Sequence, residues 1–127
     1  MTLLLDTSAL IYWTLLPSKL SSAAQAAIDA SNRILISSIS IWEVGIKAQK
    51  GQLVLPGAVQ QFTFMLQQSY SVEFVAVDEK IWLKNLELVW DHRDPADRII
   101  VATAILLHCP LVTSDLQIRE FYPQSVW

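Results

Sequence analysis

Apolar positions along the chain fall into short unbroken runs separated by longer mixed stretches. The first run, "TLLL" at residues 2–5, is closed by Asp6-Thr7-Ser8. A buried strand that turns into a helix has this form, because Asp, Thr and Ser side chains accept from the free N–H groups of a first helical turn. "SALIYWTL" predicts that helix, stopped near Pro17. "SSAAQAAIDASN" (21–32) is alanine-rich, begins with a serine cap and predicts a second helix. "RILISS" (33–38) predicts a second strand. Residues 38–51 predict a helix that Gly51 ends. Pro56 opens another, through about Tyr70. "VEFVAV" (72–77) is a third strand, Asp78 caps "EKIWLKNLEL", and Asp94 caps a helix that continues as the uncharged run "IIVATAILL". "PLVTSD" (110–115) is a fourth strand and "SVW" a short final one.

Strands alternating with helices imply βαβ units, and hence an α/β fold with a mainly parallel sheet covered by helices on both faces. In such sheets ligands bind outside the carboxyl ends of the strands. Asp6 and Asp115 each end a predicted strand. Two acids far apart in sequence are thereby expected at one edge.

The length, 127 residues, suits one domain spanning 1–127. A hydrophobic content of 53% argues against disorder. The net charge of −3, with nine scattered Lys and Arg, argues against a strongly basic nucleic-acid binder. It leaves room for a nucleic-acid enzyme whose metal ions bring positive charge. Cys109 stands alone in an apolar run, so no intrachain disulfide forms, and a small buried hydrophobe is the reading preferred to a reactive thiol. The apolar start lacks a basic leader and contains Asp6, so it is not read as a signal peptide. The stretch Gly51–Val72 is uncharged but holds five Gln and a Pro, and no membrane span is expected. A cytoplasmic location is expected.

Four acids lie against apolar sequence: Asp6 after "LLL", Glu43 in "SIWEVGI", Asp97 before "RIIVATA" and Asp115 after "LVTS". A carboxylate near a core is costly unless paired, hydrogen-bonded or metal-bound. Too few bases lie nearby to pair all four. A divalent cation would remove their repulsion, and all-oxygen ligands suit Mg²⁺ or Mn²⁺. Each acid has a plainer reading as well. Asp6 and Asp115 are good N-caps, Glu43 could face solvent between core positions, and Asp97 could complement a helix dipole. In Asp94-Pro95-Ala96-Asp97, Asp94 reads as the structural cap, Pro95 as the first helical residue and Asp97 as the acid one turn in. Thr7, Ser8, Thr113 and Ser114 either cap helices or orient a carboxylate or water. Arg98 and Arg93 could meet phosphate, and Arg98 could instead brace a carboxylate. His92 reads first as a solvated loop residue and second as a phosphate contact. His108 reads as a helix C-terminal cap. No Cys/His spacing suits zinc, and no glycine-rich phosphate loop is present.

With "LLLDTSAL", "SSISIWEVGIKAQKGQLVLP", "HRDPADRIIVATAI" and "LVTSD" in this order, nearly the whole chain resembles a PIN domain, and within that family the VapC-type toxin ribonucleases of bacterial toxin–antitoxin pairs. The resemblance implies a three-layer α/β/α sandwich. It implies that Asp6, Glu43, Asp97 and Asp115 match the family acids and hold Mg²⁺ or Mn²⁺. The activity implied is an endoribonuclease that directs water in line at a phosphodiester and leaves a 5′-phosphate. The partners implied are RNA, a cognate antitoxin and a second copy of the chain. The family motif commonly has Phe where this chain has Ala96.

Two other classes compete. A phosphoacceptor domain, receiver-like or phosphatase-like, also places Asp at strand ends, but it needs an acid beside the first Asp and a late Lys. Here no acid neighbours Asp6 and no Lys follows Lys84. A catalytically silent partner-binding module is the second, suggested by five Trp in an apolar chain.

Overall fold

Strand β1 (Thr2–Leu5) is the centre of the structure, a computed structural model that describes residues 1–127. The other strands are β2 (Arg33–Ser37), β3 (Val72–Val75), β4 (Leu111–Val112) and β5 (Ser125–Val126). The helices are α1 (Thr7–Leu15), α2 (Ser22–Ala30), α3 (Ile39–Gln49), α4 (Val59–Ser69), α5 (Glu79–Glu87), α6 (Pro95–Leu107) and α7 (Leu116–Phe121), with a 3-10 turn at Pro17–Lys19. All strand pairings are parallel, in the order β3-β2-β1-β4-β5.

Side-chain alternation along the strands builds two cores. Leu3, Leu5, Ile34 and Ile36 point to one face, where they meet Leu10, Ile11, Ile28, Phe62 and Leu66 from α1, α2 and α4. Leu4, Leu35 and Leu111 point to the other, against Ile100, Val101 and Ala104 of α6 and Ile118 of α7. The result is an α/β/α sandwich. Leu3, Leu4 and Leu5 are fully buried, and each such side chain contributes roughly 1.5–3 kcal/mol of transfer free energy. Cys109 is buried in the second core. α5 lies along α6 through Ile81, Ile99 and Ala102. No helix is long and apolar enough to cross a membrane.

From β1 the chain steps outward through β2 to β3, then returns to the far side of β1 for β4 and β5. The winding direction therefore reverses between β1 and β4. Strands splay into a crevice at such a point, on the carboxyl side of the sheet.

The elements differ from the sequence expectation in three places. α4 begins at Val59, not at Pro56, because the Gln61 side chain reaches back to accept from the Ala58 N–H at 3.0 Å and sets the start there. Gly57 leaves room for it, since a Cβ at that position would push the Gln61 carboxamide aside. β3 and β4 are shorter than the apolar runs that contain them. α7 was not anticipated as an element. His108 closes α6 in the left-handed conformation, φ 52°, and is exposed.

Candidate active site

The carboxyl end of β1 delivers Asp6 into the crevice, and its place in the chain dictates two bonds. As N-cap of α1 it accepts from the Ala9 N–H through Oδ1 at 2.8 Å. Through Oδ2 it accepts from the Thr113 hydroxyl at the end of β4. Both residues are buried, Asp6 at 4% and Thr113 at 0% exposure. The capping and the site readings of Asp6 therefore coexist in one carboxylate. Thr113 Oγ1 also accepts from the Asp115 N–H at 3.1 Å. Asp115 in turn caps α7, accepting from the Ile118 N–H at 3.1 Å. One threonine hydroxyl thus links the first and last acids of the set across the β1–β4 junction.

Glu43 comes from the second turn of α3, which follows β2. It accepts from the Thr7 hydroxyl, and the Thr7 and buried Ser40 hydroxyls lie 2.8 Å apart. Asp97 comes from the first turn of α6. Asp94 caps that helix, accepting from the Ala96 and Asp97 N–H groups at 2.9 and 3.2 Å, with Pro95 at the first helical position. Ala96 is buried. A 2.8 Å contact joins Asp97 Oδ2 to His92 Nε2. The His92 ring stacks on Trp90 at 4.6 Å between centroids, and Trp90 stacks on Phe121 at 4.5 Å.

Electrostatics place these groups in one field. Burial raises the Asp6 carboxyl to about 7; its bonds to Thr113 and Ala9 pull the other way, and the charges of Asp97 and Asp115 raise it further. Burial raises Glu43 as well, with Asp94 and Asp97 adding to the effect and Lys47 opposing it. Burial also raises Asp97, against its bond to His92 and with the charges of Asp94 and Asp115. For His92, desolvation disfavours the charged ring, but the bond to Asp97 and the neighbouring acids outweigh it and the pKa rises. No lysine or arginine forms an ion pair with any of the four acids.

A ring nitrogen of His92 and one carboxylate oxygen each from Asp97 and Asp115 lie within 4.8 Å of one another. Asp6 stands next to this group, bonded to Thr113, and Glu43 is within Coulombic reach of Asp97. The donors are carboxylate oxygens with one imidazole and no thiolate. Crowded carboxylates, with the Asp6, Glu43 and Asp97 pKa values raised chiefly by burial and further by neighbouring charge, fit a hard divalent cation, which would offset both effects.

Three expectations change. Arg98 braces no carboxylate, and its guanidinium is committed to the α5–α6 loop. Its Nε donates to Asn85 Oδ1 at 2.9 Å. Nη1 donates to the carbonyls of Trp90 and His92 at 2.7 and 3.3 Å, and Nη2 to those of Asn85 and Leu88 at 2.9 and 3.3 Å. The loop from α5 to α6 has no backbone ladder of its own, and the guanidinium supplies the donors that its carbonyls need. His92 is not a solvated loop residue, because that loop carries it onto Asp97. The Ser8 and Ser114 hydroxyls bond to no carboxylate, in contrast to those of Thr7 and Thr113. Ser40 had not been singled out. Its signal was its position three residues before Glu43, on one face of a helix.

The family described as the PIN domain matches residues 3–122. Ribonuclease VapC22 of Mycobacterium tuberculosis is 31% identical over 130 residues, covering 99% of this chain and 98% of that protein. Among solved structures, a toxin–antitoxin complex from Klebsiella pneumoniae aligns with a TM-score of 0.67 at 24% identity, over 98% of this chain and 95% of that one. VapBC2 from Rickettsia felis, bound to a DNA fragment from its promoter, aligns with a TM-score of 0.69 at 17% identity over 100% of both chains. FitAcB from Neisseria gonorrhoeae gives 0.63 at 18% identity, over 96% and 92%. At these identities the structures speak to the fold alone.

Proposed function

Because the chain belongs to the PIN domain family, we propose that it is a metal-dependent endoribonuclease, the toxin of a toxin–antitoxin pair, with Asp6, Glu43, Asp97 and Asp115 as the residues that hold Mg²⁺ or Mn²⁺. The observation that supports this reading is the grouping of His92, Asp97 and Asp115 within 4.8 Å, with Asp6 beside them through Thr113, Glu43 in Coulombic reach of Asp97, and no Lys or Arg ion pair to the acids. A divalent cation bound there supplies Lewis-acid stabilisation of a phosphodiester and activation of water near neutral pH.

The chain's own groups prepare the site. Thr113 fixes the Asp6 carboxylate, Thr7 fixes Glu43 and His92 fixes Asp97, so each acid is oriented before any ligand arrives. Such outer contacts commonly matter about 10- to 100-fold in metal affinity or activity. The helix starts of α1, α6 and α7 converge here and lend partial positive charge toward an anionic substrate. We assign an RNA substrate, an antitoxin protein and a second copy of the chain as partners, in a cytoplasmic setting and as a single domain over 1–127.

The test is cleavage of RNA by the purified protein. We expect cutting with Mg²⁺ or Mn²⁺ and none with EDTA. Asp6→Asn, Glu43→Gln, Asp97→Asn and Asp115→Asn should each lower the rate at least ~100-fold, with circular dichroism unchanged. Full activity in any one removes that residue from the site, and cutting in EDTA removes the metal.

A further inference from the structure

A polyanion needs cations to hold it, and this chain has few to offer near the acids. Of its nine Lys and Arg, Arg98 is spent inside the α5–α6 loop, Arg33 is bridged to Glu73 and Lys84 to Glu87. Lys47 and Lys50, like Lys19, Lys80, Arg93 and Arg119, have no ion-pair partner. They lie one and two turns beyond Glu43, at the end of α3, and Lys47 is close enough to draw the Glu43 carboxyl down. Both line a groove of about 170 Å³ together with Trp42, Glu43, Ile46 and Gln52. Trp42 is 62% exposed there, an indole left facing solvent beside an acid of the site.

We propose that this groove is the subsite for one unpaired nucleotide flanking the scissile phosphate, with Trp42 stacking on its base and Lys47 and Lys50 meeting backbone phosphates. The inference rests on the ribonuclease reading and adds to it the part of the surface that selects single-stranded RNA. The chemistry of the groove favours this occupant. An indole face accepts any base, and lysines contact phosphate as point charges without reading sequence. A base seated in the groove would place its own phosphate next to Glu43, which lines the same cavity. Lys47 and Lys50 flank the indole with positive charge that a purely apolar partner would leave uncompensated.

Binding of a fluorescein-labelled, unpaired oligoribonucleotide, followed by anisotropy, tests the assignment. The chain carries Asp6→Asn throughout so that the probe stays intact. Trp42→Ala should weaken binding roughly 5- to 150-fold, the range that stacking of one base supplies, and Trp42→Phe should recover most of it. Lys47→Gln with Lys50→Gln should lower the slope of log affinity against log salt by about 1.4, or ~0.7 per phosphate contact on a single strand. In the chain with Asp6 intact, Trp42→Ala should raise KM more than it lowers kcat. Unchanged affinity in Trp42→Ala, or an unchanged salt slope in the double lysine variant, overturns the subsite. So does loss of antitoxin binding with RNA affinity preserved, which would make the groove a protein surface. If the unsubstituted protein cuts RNA while the groove variants cut with unchanged KM, the groove fails alone. If it does not cut RNA with Mg²⁺ or Mn²⁺, both readings fail together.

Discussion

At Asp6 the same carboxylate caps α1, receives the Thr113 hydroxyl and stands in the field of two other acids, and its titration carries a consequence for stability. An unfolded Asp titrates near 3.8, whereas the folded one titrates at about 7. Between those values the folded chain keeps a proton that the unfolded chain has released. The stabilisation is complete below the lower value and is lost as pH rises through the upper one, on the order of 4 kcal/mol for this group. Glu43, Asp97 and His92 are also raised, so they act in the same direction. In EDTA, the melting temperature should fall between about pH 5 and pH 8. Asp6→Asn should flatten that fall, and Mn²⁺ should raise the melting temperature more at the higher pH than at the lower. Thermal denaturation across the pH series measures all three, and a rise with pH in EDTA would contradict the argument. Arg98 gives a second expectation. A lysine offers three donors at one point where the guanidinium serves five acceptors along a loop. Arg98→Lys should cost about 1.5–3 kcal/mol in urea denaturation and slow RNA cleavage, because His92 is no longer held on Asp97. Individual acids stood out as candidates in the sequence because a charge at the end of an apolar run is conspicuous. His92 was not, because a loop histidine looks the same whether it faces water or a carboxylate. Only the fold of residues 85–92 around Arg98 decides which.

At the level of elements, the start of α6 separates structure from chemistry within four residues. Asp94 caps, Pro95 sets the first turn and Asp97 projects toward β1 and β4. Asparagine caps about as well as aspartate, so Asp94→Asn should keep its melting temperature and most of its cleavage rate. Asp94→Ala should lose about 1 kcal/mol. Loss of cleavage in Asp94→Asn with circular dichroism intact would move Asp94 into the site. β1 and the long helix α6 were legible because each is an apolar run flanked by a cap or a charge. α7 was not, since its six residues are too few to show a period. The start of α4 was missed because the side chain of Gln61, and not Pro56, decides where the backbone begins to coil. Strand ends were overestimated at β3 and β4, where Ala76 turns out to solvent past Val75 and the Thr113 and Asp115 side chains bond backbone N–H groups at the start of α7.

For the whole molecule, the parallel α/β architecture followed from alternation alone, whereas the strand order did not. The reversal between β1 and β4 depends on which edge the chain returns to, and no local pattern records that choice. One outer surface carries Trp82, Leu83, Leu86 and Val89, exposed at 48, 59, 78 and 96%, on and just beyond α5. On the proposed pairing of two copies, this face is a candidate contact, and Leu86→Glu should then halve the mass seen by light scattering while leaving the circular dichroism spectrum intact. Finally, the bond from the Thr113 hydroxyl to Asp6 spans 107 residues of sequence. Ribosomes extend a chain at roughly 5–20 residues per second. A nascent chain that has already exposed Asp6, Glu43 and Asp97 therefore still lacks Thr113, the β4 strand that closes the crevice and the fourth acid. During synthesis the candidate site stays incomplete until β4 slots in beside β1, so its assembly is a late step of folding.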